Sequence, residues 1–200
     1  MLNLLPDDKS PNAILDVGCG TGRLLRRAHE RWPSAQVVGV DPAEGMATIA
    51  RRNLPEATIH VAVAEALPLS DGSVDVAFSA VSLHHWRDQV LGVRELARVV
   101  RAPGLVCVAD IVLPSWVGSM LGSRARSRST LQALFHQVGF TLLTHRSMFL
   151  NTIHVILARR APAGSGCLTS AWSRPDASHG LMDTLTPAVP MKVREEGQRN

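Results

Sequence analysis

Short apolar, β-branched runs alternate with longer stretches of helical period along most of the chain. Ala13-Ile14-Leu15-Asp16-Val17 predicts a buried strand that Gly18 ends. Residues 22–31 set Leu24, Leu25 and Ala28 on one face and Arg23, Arg26, Arg27 and Glu30 on the others. That spacing predicts an amphipathic helix, stopped by Pro33. Residues 36–41 predict a second strand, 43–53 a helix with Met46, Ile49 and Ala50 inward, and 58–63 a third strand. After a loop with Pro68, Asp71 and Gly72, residues 74–81 predict a fourth strand. Residues 88–101 predict a helix with Val90, Val93, Ala97 and Val100 inward and Arg94, Arg98 and Arg101 outward. A Pro103-Gly104 turn then leads into a fifth strand over 105–112. A helix over 129–138 carries Leu131, Leu134 and Phe135. The apolar runs 140–149 and 152–158 are separated by Leu150-Asn151 alone, too short for a crossover, so an antiparallel hairpin is expected.

Five β/α alternations imply an α/β fold: a Rossmann-like, doubly wound, mostly parallel sheet with helices on both faces. Residues 161–200 are rich in Pro, Gly, Ser and Thr and lack periodicity. A disordered tail is expected there, leaving a domain over 1–160.

Composition narrows the class. Hydrophobic residues make up 46% and charged residues 19% of the 200, which supplies a core and excludes wholesale disorder. No apolar run reaches the roughly 20 residues of a membrane-spanning helix. The N-terminus lacks a basic segment and turns acidic at Asp7-Asp8, so no secretory signal is expected. Cys19, Cys107 and Cys167 stand apart without CxxC spacing, which argues against a disulfide framework or zinc knuckle and for a reducing, cytoplasmic setting. The net charge is +4, but residues 1–110 hold 11 basic and 13 acidic side chains. Residues 111–160 hold six arginines and no acid, and 161–200 balance at four of each. The excess therefore belongs to one segment and gives no general case for nucleic acid.

The candidate chemistry begins at Asp16-Val17-Gly18-Cys19-Gly20-Thr21-Gly22, between the first strand and first helix. Glycines there let the backbone turn tightly and approach a ligand at the carboxyl edge of the sheet, where open α/β folds bind cofactors. Asp41 ends the second strand, and a carboxylate there can accept two hydrogen bonds from ribose hydroxyls. A dinucleotide fingerprint would put its third glycine at position 23, which is Arg23, and no GK[ST] follows. An NAD(P)-dependent dehydrogenase is therefore the weaker of the nucleotide readings.

The stretch from Ile14 to Gly22 resembles the first motif of class I S-adenosylmethionine (SAM)-dependent methyltransferases. Val40-Asp41-Pro42-Ala43-Glu44-Gly45-Met46 is similar to the second motif of their small-molecule, ubiquinone-biosynthesis-like (type 11) branch. The loop 64–75, Leu83-His84-His85-Trp86 and the segment 95–104 follow in that branch's order. The resemblance covers residues 13–112, and it implies a seven-stranded sheet of order 3-2-1-4-5-7-6. It further implies that Gly18 and Gly20 line the methionyl end of SAM, with Asp16 orienting the loop and assisting the ammonium. Asp41 would hold the ribose hydroxyls, Pro42 and Met46 would sandwich adenine, and Ala64 and Glu65 would lie at its polar edge. Ser79 would border the ammonium and reactive methyl.

Val63 stands where the branch often has an acid. The twelve residues before Ala13 do not hold the helices that usually cover the cofactor, so the site is expected to be open, completed by a partner chain such as a second copy in a homo-oligomer, or truncated.

His84 and His85 are the candidate bases, because oxygen and carbon acceptors often lose a proton and histidine serves at neutral pH. The rival role for the pair is packing or capping its loop. Asn/Asp-Pro-Pro-Tyr, a paired-glutamate loop and a metal cluster are all absent from the sequence, leaving a small-molecule acceptor as the default. The Arg124-x-Arg126-x-Arg128 cluster suits an anionic acceptor or a solvated loop. Nucleic acid is disfavoured because no aromatic residue is interleaved there. The leading expectation is methyl transfer from SAM to a small molecule, and the alternative is a SAM-binding scaffold without turnover.

Overall fold

A computed structural model describes residues 1–6, 10–111, 128–148 and 152–162 of the chain. Arg124, Arg126, the loop 113–127 and the tail 163–200 lie outside the described residues, as does the side chain of Arg128. A short 3-10 turn, Leu2–Leu4, precedes β1 (Ala13–Val17), α1 (Arg23–Arg31), β2 (Gln36–Asp41), α2 (Glu44–Asn53) and β3 (Thr58–Val61). Then come β4 (Val74–Ala80), a 3-10 turn at Leu83–His85, α3 (Gln89–Val99) and β5 (Val100–Ile111). The helix Arg128–Gln137, here α4, leads into β6 (Phe140–Met148) and β7 (Ile153–Arg160).

The seven strands form one sheet in the order β3-β2-β1-β4-β5-β7-β6. The first four pairings are parallel, and β7 runs antiparallel between β5 and β6. Strand alternation divides the core in two. Leu15, Val17, Ala77, Val106 and Val108 face α3 and α4 through Val93, Leu96, Leu131 and Phe135. Ile14, Val37, Val76, Phe78 and Cys107 face α1 and α2 through Leu25, Ala28, Ala47 and Ala50. Both sheet faces are therefore covered, as a parallel sheet requires. Among the described residues no helix is long and apolar enough to cross a membrane.

Several positions differ from the sequence expectation. Met46 and Ile49 are exposed at 44% and 41%, and α2 turns Ala47 inward beside Ala50, which is buried as expected. The helix lies so close to the glycine loop that a Cβ at Gly22 would sit 3.3 Å from Ala50 Cβ. Only small side chains fit that seam, and the bulky apolar ones move to its rim. The Pro103-Gly104 pair does not separate α3 from a later strand. It is absorbed within β5, where the register against β4 shifts between Val74 and Val76. Strand β4 stops at Ala80, because Val81 adopts φ +53°, a left-handed backbone costly for a β-branched residue.

Arg98 is also not an outward charge. Its guanidinium donates to Glu95, to Asp71 and to the carbonyls of Leu67 and Leu69. Glu95 in turn accepts the Leu67 amide at 2.9 Å. This network ties the loop after β3 to α3. Arg98→Met is expected to lower unfolding free energy by about 2 kcal/mol, since it strands a half-buried carboxylate and two loop carbonyls. Urea unfolding checks this, and a loss of only about 0.5 kcal/mol would mark the network as an ordinary surface ion pair.

Candidate functional site

The glycine loop begins where β1 ends, and its conformation is set by chirality. Gly18, Gly20 and Gly22 have φ of 74°, 53° and 78°, a region in which a Cβ meets the backbone. The Gly18 and Cys19 amides both donate to the Val40 carbonyl, at 2.7 and 3.1 Å. The Asp41 carboxylate takes the Gly20 amide on Oδ2 at 2.8 Å and the Ala43 amide on Oδ1 at 2.9 Å. The end of β2 thus fixes the loop after β1. Cys19 points into the core beneath, and burial pushes its thiol up to about 12, with the charges of Asp16 and Asp41 adding to the effect. It is a packing residue, not a nucleophile.

Above this edge lie two adjoining cavities of about 520 and 240 Å³ that share Gly18, Pro42, Ser82 and His85. The larger is lined by Asp16, Gly18, Gly20, Asp41, Pro42 and Met46, among others. The smaller includes Gly18, Pro42, Ala64 and Glu65, beside Val63, Trp86 and Arg87. The structure therefore brings eight of the nine candidate binding residues to one cleft. Ser79 is the exception, since its side chain is fully buried, its hydroxyl has no partner among the described residues, and it lines neither cavity. Glu65 accepts the Asp88 amide at 2.8 Å, so it anchors the start of α3 while bordering the cleft.

The two histidines separate. His84 Nδ1 lies 2.5 Å from Asp110 Oδ1, and the His84 amide donates to Asp110 Oδ2 at 3.0 Å. Asp110 is 2% exposed and also receives the Ile111 amide at 2.6 Å. His84 thereby pins the Leu83–His85 turn to β5. His85 lines both cavities, with its ring centroid 3.9 Å from that of His84. Sequence reasoning missed Asp110 and Ser82. Asp110 carried a legible signal, being the only charged residue in the apolar run 105–112. Ser82 carried none beyond its place beside the histidines.

Asp16 holds the sharpest electrostatic feature. It is 2% exposed, its Oδ1 has no hydrogen-bond partner among the described residues, and it borders the larger cavity. Burial, and then the negative charge of Asp41, push its carboxyl from 3.8 up to about 7. A buried orphan carboxylate facing a cavity is matched by a cation, and Asp41 retains lone pairs for hydroxyl donors. Pro42 and Met46 present apolar surface for a planar base. These residues fit a ligand with an ammonium, a ribose and a purine.

Residues 15–108 match the family model of the methyltransferase domain. Over 142 residues the chain is 41% identical to an uncharacterized methyltransferase of Mycobacterium tuberculosis, covering 64% of this chain and 57% of that protein. Over 161 residues it is 35% identical to a malonyl-[acyl-carrier protein] O-methyltransferase of Geobacter sulfurreducens, covering 78% and 57%. The chain thus spans rather more than half the length of these curated relatives. Its fold superposes with a TM-score of 0.71 on geranyl diphosphate C-methyltransferase from Streptomyces coelicolor A3(2), solved with S-adenosyl-L-homocysteine. That pair is 16% identical, and the match covers 80% of this chain and 76% of the other. The chain carries a class I methyltransferase domain. The cofactor of that class is SAM.

Asp16 makes stability depend on pH in a stated direction. Its carboxyl is raised in the folded state, so the folded chain binds the proton more tightly and loses stability as pH rises from about 4 to 7. Above that window the ligand-free protein carries the whole penalty, on the order of 4 kcal/mol. Ligand-free protein is expected to melt higher at pH 5.5 than at pH 8. Asp16→Asn should flatten that difference and raise the melting temperature at pH 8 by several degrees, as thermal unfolding across pH would show. A melting temperature that climbs equally with pH in both proteins would contradict the assignment.

Proposed function

We propose that residues 1–160 form a unit that transfers a methyl group from SAM to a small-molecule acceptor. The observation that carries the reading is the orphan carboxylate of Asp16 in the same cleft as the clamped carboxylate of Asp41. In this reading Asp16 meets the α-ammonium, with Gly18 and Gly20 beside the methionyl chain. Asp41 accepts the ribose hydroxyls through lone pairs that the Gly20 and Ala43 amides leave free. Pro42 and Met46 flank the base, whose edge lies toward Ala64 and Glu65. Bound SAM supplies an electrophilic methyl on a sulfonium, and the protein's share is to align it with a nucleophile and exclude water. His85, the imidazole at the cleft, accepts a proton on a ring nitrogen from an acceptor hydroxyl. His84 serves as its support, through Asp110. An oxygen acceptor accords with the O-methyltransferase relative, and the C-methyltransferase neighbour shows that carbon acceptors share this fold.

Titration calorimetry with SAM and S-adenosylhomocysteine tests the donor. Saturable binding of both is expected, with Asp41→Ala weakening it by about tenfold or more through loss of charge-assisted hydrogen bonds. No heat with either ligand, or unchanged affinity in Asp41→Ala, would overturn the assignment. Passage of label from methyl-labelled SAM into a small-molecule extract then separates an enzyme from a scaffold that only binds.

A further inference from the structure

We infer that Ser82 is a ligand-binding residue of the cleft, donating its hydroxyl hydrogen to an oxygen of the bound donor molecule, with Trp86 and Gly92 holding it in place. The inference rests on the donor reading above and adds to it a residue with no counterpart in the glycine loop.

Four features converge on this one side chain. The backbone ahead of it is constrained, since Val81 sits at φ +53° with its amide held by the Ala109 carbonyl at 2.7 Å. Such a conformation costs about 1–3 kcal/mol and persists where the surroundings over-determine it. Ser82 also fills the space that Gly18 leaves empty. A Cβ at Gly18 would lie 1.9 Å from Ser82 Oγ and 2.4 Å from Ser82 Cβ. The serine and the glycine loop therefore interlock, which places the hydroxyl where the two cavities meet.

The third feature sets the direction of the hydroxyl. Trp86 Nε1 lies 3.1 Å from Ser82 Oγ, and an indole nitrogen can only donate. The serine oxygen must accept there, so its own hydrogen is committed to a different partner. Among the described residues no hydrogen bond takes that hydrogen. The fourth feature fixes the tryptophan. A Cβ at Gly92 would come within 2.3 Å of Trp86 Cε3, so the ring lies flat against α3 only because position 92 is glycine. The order of support runs from α3 to Trp86, to Ser82 and to the ligand.

The chemistry narrows the acceptor. An ammonium carries no lone pair, and Asp16 already answers that end of the molecule. The ring nitrogens of the base are acceptors too, but in the donor reading they lie between Pro42 and Met46 and toward Ala64 and Glu65. What remains is an oxygen of the ligand, on its carboxylate or on its ribose. Trp86 is a positioning residue and Ser82 touches the ligand.

Calorimetry with S-adenosylhomocysteine and with 5′-methylthioadenosine, which lacks the amino-acid portion, tests this on the full chain. Ser82→Ala is expected to weaken S-adenosylhomocysteine by about fivefold to tenfold, the worth of a hydrogen bond lost in a sheltered site. A loss confined to S-adenosylhomocysteine puts the accepting oxygen on the carboxylate, and a loss with both ligands puts it on the ribose. Trp86→Phe keeps a ring on Gly92 but removes the N–H. It should weaken binding in the wild-type background and have little further effect beside Ser82→Ala, the non-additivity expected of coupled groups. Melting curves of the ligand-free variants check that each is folded. Affinity of Ser82→Ala within about twofold of wild type, or additive effects of the two substitutions, would overturn the inference. Failure of the wild-type chain to bind either ligand would remove the donor reading and Ser82's role with it.

Discussion

One carboxylate organises the ligand edge of this domain. Asp41 ends β2, is 8% exposed, and spends one oxygen on the Gly20 amide and the other on the Ala43 amide. Those bonds add to the two that the Val40 carbonyl accepts at the loop's entrance and the one that Asn53 donates to the Thr21 carbonyl. Three positive-φ glycines in five residues make a loop whose entropy is high when free, so it needs such external fixing. The same carboxylate raises the proton affinity of Asp16. A fixed loop and an electrostatically frustrated carboxyl are thus two consequences of one side chain, and a cationic ligand relieves the second.

The opposite wall of the cleft is built by packing. Val81 turns the chain out of β4, Asp110 grips His84 by ring and backbone, and Trp86 rests on Gly92. The Arg98–Glu95 network attaches the loop that carries Ala64 and Glu65 to the same helix. The acid-rich wall lies on β1 and β2 and the imidazole-rich wall follows β4, and the cleft runs between them. In the proposed reading that arrangement separates donor binding from proton handling, which suits a displacement needing both a cation and a base.

Much of the fold was legible because it depends on period. Alternating strand residues and helical spacing are local, so the β/α order and the terminal hairpin follow directly from residues 13–158. The glycine loop and Asp41 were legible for the same reason, being short motifs at strand ends. What escaped depended on distance or on shape. Met46 and Ile49 read as inward because size and hydrophobicity suggested it, whereas the tight seam at Gly22 admits only Ala47 and Ala50. Arg98 read as solvated because, besides Glu95 on its own helix, its partners lie in a loop about thirty residues earlier. Ser82 was passed over for Ser79 because the strand's end is decided by a dihedral at Val81, which no composition or spacing records.

The central claim is that the cleft between these walls is where S-adenosyl ligands bind. Amide chemical shifts of ¹⁵N-labelled protein during titration with S-adenosylhomocysteine test it most directly. The account predicts saturable shifts at Gly18, Gly20, Asp41 and Met46, on one wall, and at Ser82 and His85 on the other, with one affinity throughout. Shifts confined to residues away from the carboxyl edge of the sheet, or none at saturating ligand, would contradict it.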